Sequence, residues 1–243
     1  MGEFIVTKNL KNALKWQERC GFENINVDLM IGLPTQTIED VEDSLRKVLY
    51  LNPNHISLYS LIVEENTVLE KEIRNGFFAL PKEDVEREMY DVAKKTLEKN
   101  GYLQYEISNF AKTGFASRHN LNCWNQEEYL GFGLAAHSYF DKTRFSNTTD
   151  LAKYLENQKA NIQINEVQTG EMEKKEYMML GLRKLDGVKI SEFERKFEMN
   201  PLFYFRFEIA KLTDEDLIEV DLDNIRLTRK GLDLANLVFE EFV

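Results

Sequence analysis

The segment INVDLMIGLPTQTIEDVEDSLRKVLYLNPNHISLYSLIV, residues 25–63, decides the fold of this chain. Its first seven residues are mostly apolar and end at Gly32-Leu33-Pro34, a pattern typical of a buried strand that runs into a turn. Apolar residues then recur at helical spacing from Ile38 to Leu49, and Asn52-Pro53 ends that pattern before a second strand begins at His55. The order strand, helix, strand predicts a βαβ unit with two parallel strands.

Two parallel strands alone make no stable sheet, because each needs neighbouring strands and covering helices. We therefore expect either that the first residues pack in an unexpected way or that the chain is the C-terminal part of a larger α/β barrel or sheet. Upstream, a helical pattern begins at Thr7 and Gly21 marks its end. Downstream, helices are predicted from Thr67 to Gly76 and from Val85 to Leu97, followed by a strand in YLQYEIS from Tyr102.

The stretch from Ser108 to Tyr139 holds two of the three histidines, one of the two cysteines and one of the two tryptophans. Its centre is HNLNCW, from His119 to Trp124, which fits no simple helix or strand period and is flanked by aromatics and glycines. This composition predicts a loop that holds a ligand. A bent strand or hairpin is expected in LGFGLAAHSYF and TRFSN, then a short helix capped by Asp150, and residues 161–168 are expected to form a connector.

From Gly170 onward the pattern predicts three helices, a hairpin with its turn at Asp223-Asn224, and a last helix from Thr228 to about Phe242. This order is typical of a winged-helix-like module, which usually suggests DNA binding. Acidic residues outnumber basic ones in it, and the candidate wing, VDLDN, is itself acidic. A small packing or protein-contact domain is therefore the favoured interpretation.

Composition limits the classes of function that are possible. With 243 residues, 43% of them hydrophobic, the chain can bury a sizeable core, and no apolar run reaches the roughly 20 residues that span a bilayer. Because the N-terminus also lacks a signal-peptide layout, we expect a cytoplasmic protein without a transmembrane segment. A formal charge of −11 argues against a protein that grips nucleic acid or an anionic membrane through a general positive field. Cys20 and Cys123 offer neither a disulfide framework nor the full ligand set of an iron–sulfur cluster.

For several single residues the sequence leaves both a functional and a structural role open. Asp28 is either an active-site carboxylate near the end of a parallel strand or the cap of a neighbouring loop. His119 is a candidate metal or haem ligand, although spacing alone favours a histidine that is hydrogen-bonded within a tight loop. His137 is predicted to be an interior histidine and His55 a structural one. Cys123, next to a tryptophan, is interpreted as a small buried apolar residue, with a reactive thiol or soft metal ligand as the alternative.

Eight segments, in the same order, resemble the radical S-adenosylmethionine family of oxygen-independent coproporphyrinogen III oxidases, and most closely its haem chaperone branch. They are VDLMIGLPTQT, HISLYSLIVEENT, YLQYEISNFAKTG, RHNLNCW, YLGFGLAAHSY, RFSN, MLGLR and LTRKGLDLAN. The resemblance implies that Asp28 contacts the ribose of S-adenosylmethionine and that Met30 contacts its adenine.

The same resemblance implies that HNLNCW is the family's HNxxYW haem-binding motif. His119 would then be the axial ligand of the haem iron, with Asn120 and Trp124 also in their motif places. Cys123 stands where the motif has tyrosine, which introduces a thiolate as a competing ligand.

For the fold, the resemblance implies α/β plus α+β architecture in three parts. Residues 1–112 would be the C-terminal part of a TIM-like radical S-adenosylmethionine barrel, 113–165 the haem-motif loop and connector, and 166–243 the family's winged-helix-like C-terminal domain. The family's CxxxCxxC, which holds a [4Fe–4S] cluster, has no counterpart in this sequence. We therefore expect a C-terminal portion that does not cleave S-adenosylmethionine on its own.

The implied function is that of a haem chaperone, which binds haem and passes it to a recipient protein. One alternative is the oxidative decarboxylation of coproporphyrinogen III in porphyrin biosynthesis, and another is a winged-helix interaction module without haem or catalysis. The implied partners are haem or a porphyrin and a haem-recipient protein, with no nucleic acid. A truncated sheet would also expose strand edges and favour self-association.

Overall fold

The structure is a computed structural model that describes residues 9, 12–13, 15–17, 19–156 and 162–243, with the backbone alone for 162–165. Its contacts divide the chain into two compact units, residues 1–116 and 117–243. The three-part division predicted from the sequence stays a prediction. In the helix predicted from Thr7, the described residues from 9 to 19 are helical, and Thr7 itself lies outside the described residues.

The first unit contains one mixed sheet flanked by helices. Its elements are β1 (Asn26–Ile31), α1 (Ile38–Leu51), β2 (His55–Ser60), α2 (Val68–Arg74), α3 (Glu83–Lys99), β3 (Leu103–Glu106) and β4 (Asn109–Ala111). The strands lie in the order β1-β2-β4-β3. β1 and β2 are parallel, which confirms the predicted βαβ unit, whereas β4 runs antiparallel to both of its neighbours.

Local sequence explains why this unit forms. α1 begins with a capping box in which Thr37 and Asp40 each accept a hydrogen bond from the other's backbone N–H, and it ends at Asn52 in the left-handed conformation. One face of the sheet packs against α1 and α3, and this core contains Val27, Leu29, Ile31, Val41, Leu45, Val48, Met89, Ala93 and Leu97. Because side chains alternate along a strand, the opposite face of β1 carries Asn26, Asp28 and Met30, all exposed.

The second unit begins with a short helix and an antiparallel sheet. Its first elements are α4 (Arg118–Trp124), β5 (His137–Phe140), β6 (Thr143–Asn147), α5 (Leu151–Glu156) and β7 (Ile162–Val167), with strand order β5-β6-β7. The β5–β6 pairing confirms the predicted hairpin. The Asp150 carboxylate accepts hydrogen bonds from two backbone N–H groups at the start of α5, which confirms the predicted cap.

Two expectations for this region were wrong. HNLNCW is not a loop but forms most of α4, because Ser117 caps the segment and later residues anchor it by tertiary contacts that its own sequence does not show. Residues 161–168 are not a simple connector, because 162–167 pair with β6 along its length. That pairing partner lies in another part of the sequence, so local pattern alone could not identify the strand.

The remainder of the second unit contains α6 (Gly170–Gly181), β8 (Val188–Lys189), α7 (Ile190–Phe197), α8 (Pro201–Tyr204), α9 (Arg206–Asp214), β9 (Ile218–Val220), β10 (Asn224–Leu227), α10 (Arg229–Asp233) and α11 (Ala235–Glu240). These strands form a small antiparallel sheet in the order β8-β10-β9. The predicted third and last helices are each interrupted, at Phe205 and Leu234. The hairpin turn comes slightly earlier than predicted, since the Asp221 carboxylate accepts hydrogen bonds from the N–H groups of Asp223 and Asn224.

Two further sequence-based expectations concern the surface. Over the described ranges, no helix combines the length and the apolar content needed to cross a membrane. β1 lies at the edge of its sheet and pairs only with β2 within the part of the chain that the structure describes. Self-association through that edge stays a prediction.

Candidate functional site

The short helix α4 carries the HNxxYW-like residues. Its N-cap is Ser117, whose side-chain oxygen accepts a hydrogen bond from the backbone N–H of Asn120 at 3.3 Å. His119 is exposed, and Cys123 lies four residues later on the same helical face. The Nε2 atom of His119 is 3.9 Å from Sγ of Cys123, and its ring meets Tyr129 edge-on with 6.2 Å between the centroids. The helix therefore presents an imidazole at the surface.

The C-terminal end of α4 is fixed by contacts within the same unit. The guanidinium carbon of Arg183 lies 4.4 Å from the centroid of the Trp124 ring and 5.6 Å from that of Phe239, so the cation covers one face of the indole. Directly after the helix, Oδ1 of Asn125 accepts a hydrogen bond from Lys184 Nζ. The indole Nε1–H of Trp124 is buried and finds no acceptor among the described residues. Trp124 thus anchors the helix, while its indole N–H has no hydrogen-bond partner among the described residues.

A buried polar network adjoins this anchor and centres on Glu176. Oε1 of Glu176 accepts a hydrogen bond from Arg144 Nε at 2.8 Å and lies 2.7 Å from Nη2 in the same ion pair. Oε2 accepts from the amides of Gln126 at 2.8 Å and Gln168 at 2.7 Å. Burial would raise the pKa of Glu176, but these hydrogen bonds outweigh it and hold the pKa below its ordinary value of 4.5. Gln126 is only 3% exposed, so the network fixes the chain just beyond α4.

Arg144 connects this network to the neighbourhood of His119. Its guanidinium hydrogen-bonds Tyr129, the residue whose ring meets His119, and its carbon lies 4.5 Å from the centroid of the Tyr139 ring. Burial, followed by nearby carboxylates, raises the pKa of Tyr139 to about 12, so the phenol stays protonated. Sequence reasoning missed Arg144 and Glu176, because the two residues lie 32 positions apart and no local motif links them.

The other residues singled out in this unit have varied surroundings. His137, predicted to be interior, is exposed: it is the first residue of β5, and the strand buries the next two residues, Ser138 and Tyr139, instead. Asn120 is half-buried. Cys123 is also half-buried, and burial raises the pKa of its thiol despite the opposing charge of Arg144. The sequence thus identified the helix with the exposed imidazole but misjudged the second histidine.

In the first unit, Asp28 and Met30 lie two residues apart on the open face of β1. Oδ1 of Asp28 accepts a hydrogen bond from Nδ2 of Asn26 at 2.7 Å, and no described residue is capped by this carboxylate as the loop-cap alternative would require. Met30 is 44% exposed. His55, predicted to be structural, is buried nearby and hydrogen-bonded to Asn26 and Tyr105. A carboxylate beside a thioether on an open sheet face suits a ligand that has hydroxyl groups and a flat apolar part.

The described residues fit some of the implied groups and not others. The exposed imidazole of His119, on the same short helix as an indole with an unpaired N–H, fits a haem, and Asp28 with Met30 fits the ribose and adenine of an adenosyl group. The chain has two cysteines, and no group of three or more His, Cys, Asp or Glu side chains that could hold a metal ion occurs in the described ranges. The residues present therefore do not fit a [4Fe–4S] cluster, because two thiols are fewer than the three that the CxxxCxxC motif supplies.

The mixed sheet with its parallel βαβ unit, followed by a second unit of helices and antiparallel strands, defines an α/β plus α+β protein. Its fold is similar to that of a solved structure described as coproporphyrinogen III oxidase (HemN) from Escherichia coli, a radical SAM enzyme. The TM-score is 0.79, covering 97% of this chain and 58% of that chain. Because the two sequences are 20% identical, this likeness shows the fold alone.

Sequence comparison adds the family. The model of the HemN C-terminal domain matches residues 171–234. A protein named heme chaperone HemW from Lactococcus lactis is 40% identical over 93% of this chain and 60% of its own length. Another of that name, from Bacillus subtilis, is 38% identical over 100% of this chain and 65% of its own length. The mouse protein named radical S-adenosyl methionine domain-containing protein 1, mitochondrial, is 31% identical over 86% of this chain and 50% of its own length. The chain is therefore similar to HemW proteins over nearly all of its length, which confirms the resemblance, and it spans about three-fifths of the length of these proteins.

Proposed function

We propose that this chain is the haem-binding portion of a HemW-like haem chaperone, a protein that takes up haem and passes it to a recipient protein. The observation that carries the proposal is the exposed imidazole of His119 on a helix whose other end is anchored. Support also comes from relatives 35–40% identical over 93–100% of this chain that are named heme chaperone HemW. The whole protein's transfer activity and its recipient are part of this proposal.

In this proposal each residue of the motif on α4 makes a different contact with haem. The imidazole of His119 binds the haem iron, since neutral imidazole is a common axial ligand of haem. Arg183 covers one face of the Trp124 ring, and we assign the other face to contact with a porphyrin. Asn120, half-buried in the first turn, takes its motif place beside the ligand. Cys123 stands within 3.9 Å of His119 and is the competing ligand to be tested.

The open face of β1 supports a second binding role. We assign Asp28 to the ribose hydroxyls and Met30 to the adenine of S-adenosylmethionine, which supplies radical chemistry in this class of protein when a cluster reduces it. No step through the cluster is assigned to this chain, because its residues do not fit one. Fold likeness to HemN favours the alternative, coproporphyrinogen III oxidation, but at 20% identity that likeness extends to the fold only.

The organisation of the chain belongs to the same proposal. The order α6, β8, α7, α8 with α9, and the β9–β10 hairpin supports a winged-helix-like C-terminal domain over residues 166–243. Its candidate wing, VDLDN, carries Asp221 and Asp223, so a protein contact is proposed and nucleic acid is not. We assign residues 1–112 to the C-terminal part of a TIM-like barrel and residues 113–165 to the haem-motif region and connector. We also propose that the protein is cytoplasmic.

Adding haem to the purified chain tests the binding role. A Soret band is expected that saturates with a single haem per chain and that His119→Ala abolishes, because the iron loses its axial nitrogen. His137→Ala is the matched control, since His137 is also an exposed histidine of the second unit and is expected to leave the band unchanged. A spectrum that is the same in wild type and His119→Ala would contradict the assignment.

A further inference from the structure

A row of hydrogen bonds crosses the sheet of the first unit and ends at the carboxylate of Asp28. Nε2 of His55 lies 2.8 Å from the hydroxyl of Tyr105, and Nδ1 of His55 lies 2.7 Å from Oδ1 of Asn26. Nδ2 of Asn26 donates to Oδ1 of Asp28 at 2.7 Å. The hydroxyl of Ser57 also donates to Oδ1 of Asn26, at 3.2 Å. The four residues Tyr105, His55, Asn26 and Asp28 form one continuous path, and we call it the Asp28 row.

The direction of each hydrogen bond follows from the group at the end of the row. An ionised carboxylate only accepts, so the amide nitrogen of Asn26 must face Asp28 and its oxygen must face His55. That oxygen accepts, so Nδ1 of His55 must carry a hydrogen. In a neutral imidazole the other nitrogen, Nε2, then accepts from the hydroxyl of Tyr105. Every donor in the Asp28 row therefore points toward the carboxylate.

The environment of His55 keeps this arrangement in its neutral form. The residue is 5% exposed, and burial lowers the pKa of its imidazole below the ordinary value of 6.5, against the opposing charge of Asp28. The register explains the geometry, because Asn26 lies opposite His55 and Asp28 opposite Ser57 in the parallel β1–β2 pair. A row of aligned hydrogen bonds is cooperative, since each one polarises the next.

We propose that Asn26, His55 and Tyr105 are positioning residues that fix the Asp28 carboxylate for a ligand carrying neighbouring hydroxyl groups, such as a ribose. The row holds one carboxylate oxygen, Oδ1, and no other described residue hydrogen-bonds the exposed Asp28 side chain, so the second oxygen is free to accept from the ligand. This inference rests on the ribose-binding role proposed for Asp28. It gives a role to Asn26, His55 and Tyr105, to which the resemblance assigns none.

The tautomer of His55 tests the row without any ligand. In ¹⁵N NMR spectra of the full chain at about pH 8.5, where histidines are neutral, His55 is expected to show the Nδ1–H form, with His119 and His137 as internal references. Tyr105→Phe removes the donor to Nε2 but leaves Nδ1 bonded to Asn26, so the Nδ1–H form is expected to persist, as it is in Tyr50→Phe, on the exposed side of α1. Asn26→Leu removes the acceptor of the Nδ1–H group and is expected to shift His55 toward the Nε2–H form, which can donate to the Tyr105 hydroxyl. An Nε2–H tautomer in the wild-type chain would overturn the proposal.

Binding of adenosine tests what the row does for Asp28. With adenosine as the probe, Asp28→Asn is expected to abolish binding. His55→Phe or Tyr105→Phe is expected to weaken binding roughly tenfold, which is about the net contribution of one hydrogen bond. Tyr50→Phe serves again as the control. Equal affinity in wild type and His55→Phe would overturn the positioning role. If the wild-type chain shows the Nδ1–H form but does not bind adenosine, the ribose role of Asp28 is the part that fails.

Discussion

Replacing Gly187 by alanine is expected to lower the free energy of unfolding of the second unit by at least about 3 kcal/mol. Gly187 has a φ of +69°, and a Cβ there would lie 2.0 Å from the carbonyl oxygen of Ile225 and 2.7 Å from Cα of Arg226. Both obstacles are backbone atoms of β10, so no side-chain rotation relieves the overlap. β8 would have to move away, which separates Val188 from Ile225, residues that are 1% and 0% exposed.

The matched control is Gly170→Ala, because a Cβ at Gly170 meets nothing within 4 Å. We expect that variant to change stability by less than about 0.5 kcal/mol. Denaturant unfolding followed by Trp124 fluorescence reports on the second unit in a Trp16→Phe background, where Trp16 is 64% exposed and tolerant of change. Similar unfolding curves for Gly187→Ala and Gly170→Ala would contradict the packing of β8 against β10.

Replacing Glu176 by leucine is expected to destabilise the second unit by about 3 kcal/mol at neutral pH, because it leaves a half-buried guanidinium and two amides without their acceptor. The carboxylate forms an ion pair with Arg144 and accepts one hydrogen bond each from Arg144 Nε, Gln126 and Gln168. The double variant Glu176→Leu/Arg144→Met removes the unpaired cation as well. It is therefore expected to recover part of the loss, measured by the same Trp124 unfolding curves.

The pH dependence provides a second readout of Glu176. Since the folded pKa lies below the ordinary value of 4.5, the carboxylate stabilises the fold in full above pH 4.5, and that contribution is lost as the pH falls through the folded pKa. The stability difference between wild type and Glu176→Leu is thus expected to shrink on acidification. Glu171→Leu, at an exposed site in the same helix, is expected to stay within about 0.5 kcal/mol of wild type. A wild-type to Glu176→Leu difference that does not change with pH would contradict the network.

The βαβ unit could be predicted from the sequence because its signals are local. Thr37 and Asp40 cap the start of α1, and Asn52 marks its end. Pro34 lies in the turn between β1 and α1, and Pro53 in the connection between α1 and β2. Each of these residues acts on backbone within a few positions of it, so the sequence alone shows where the helix begins and ends. The same holds for the Asp150 cap.

The errors have the opposite origin, since they occur where distant contacts decide the structure. HNLNCW was predicted to be a loop, yet it is helical because Ser117 caps one end while Trp124 and Gln126 anchor the other to residues more than 40 positions away. His137 is exposed although AAHSY is mostly apolar, because β5 buries Ser138 and Tyr139 instead, and the local composition does not show which residues of a short strand are covered.

The candidate sites follow the same division. The resemblance identified Asp28, Met30 and His119 by motif, and the structure adds the surroundings that motifs do not contain. Arg144 with Glu176, and Asn26 with His55, were not foreseen because each pair joins two separate elements of the fold. Their roles in binding stay proposals.

The claim that His119 holds the iron is tested at the ligand itself by chemical rescue. His119→Gly leaves space beside Cys123 and is expected to lose the Soret band on haem addition. Free imidazole is expected to restore the band in His119→Gly, because it supplies the missing nitrogen, and to have no such effect on His137→Gly. If His119→Gly keeps the wild-type spectrum without imidazole, or if imidazole restores nothing, the iron is held elsewhere and the proposed haem site is wrong.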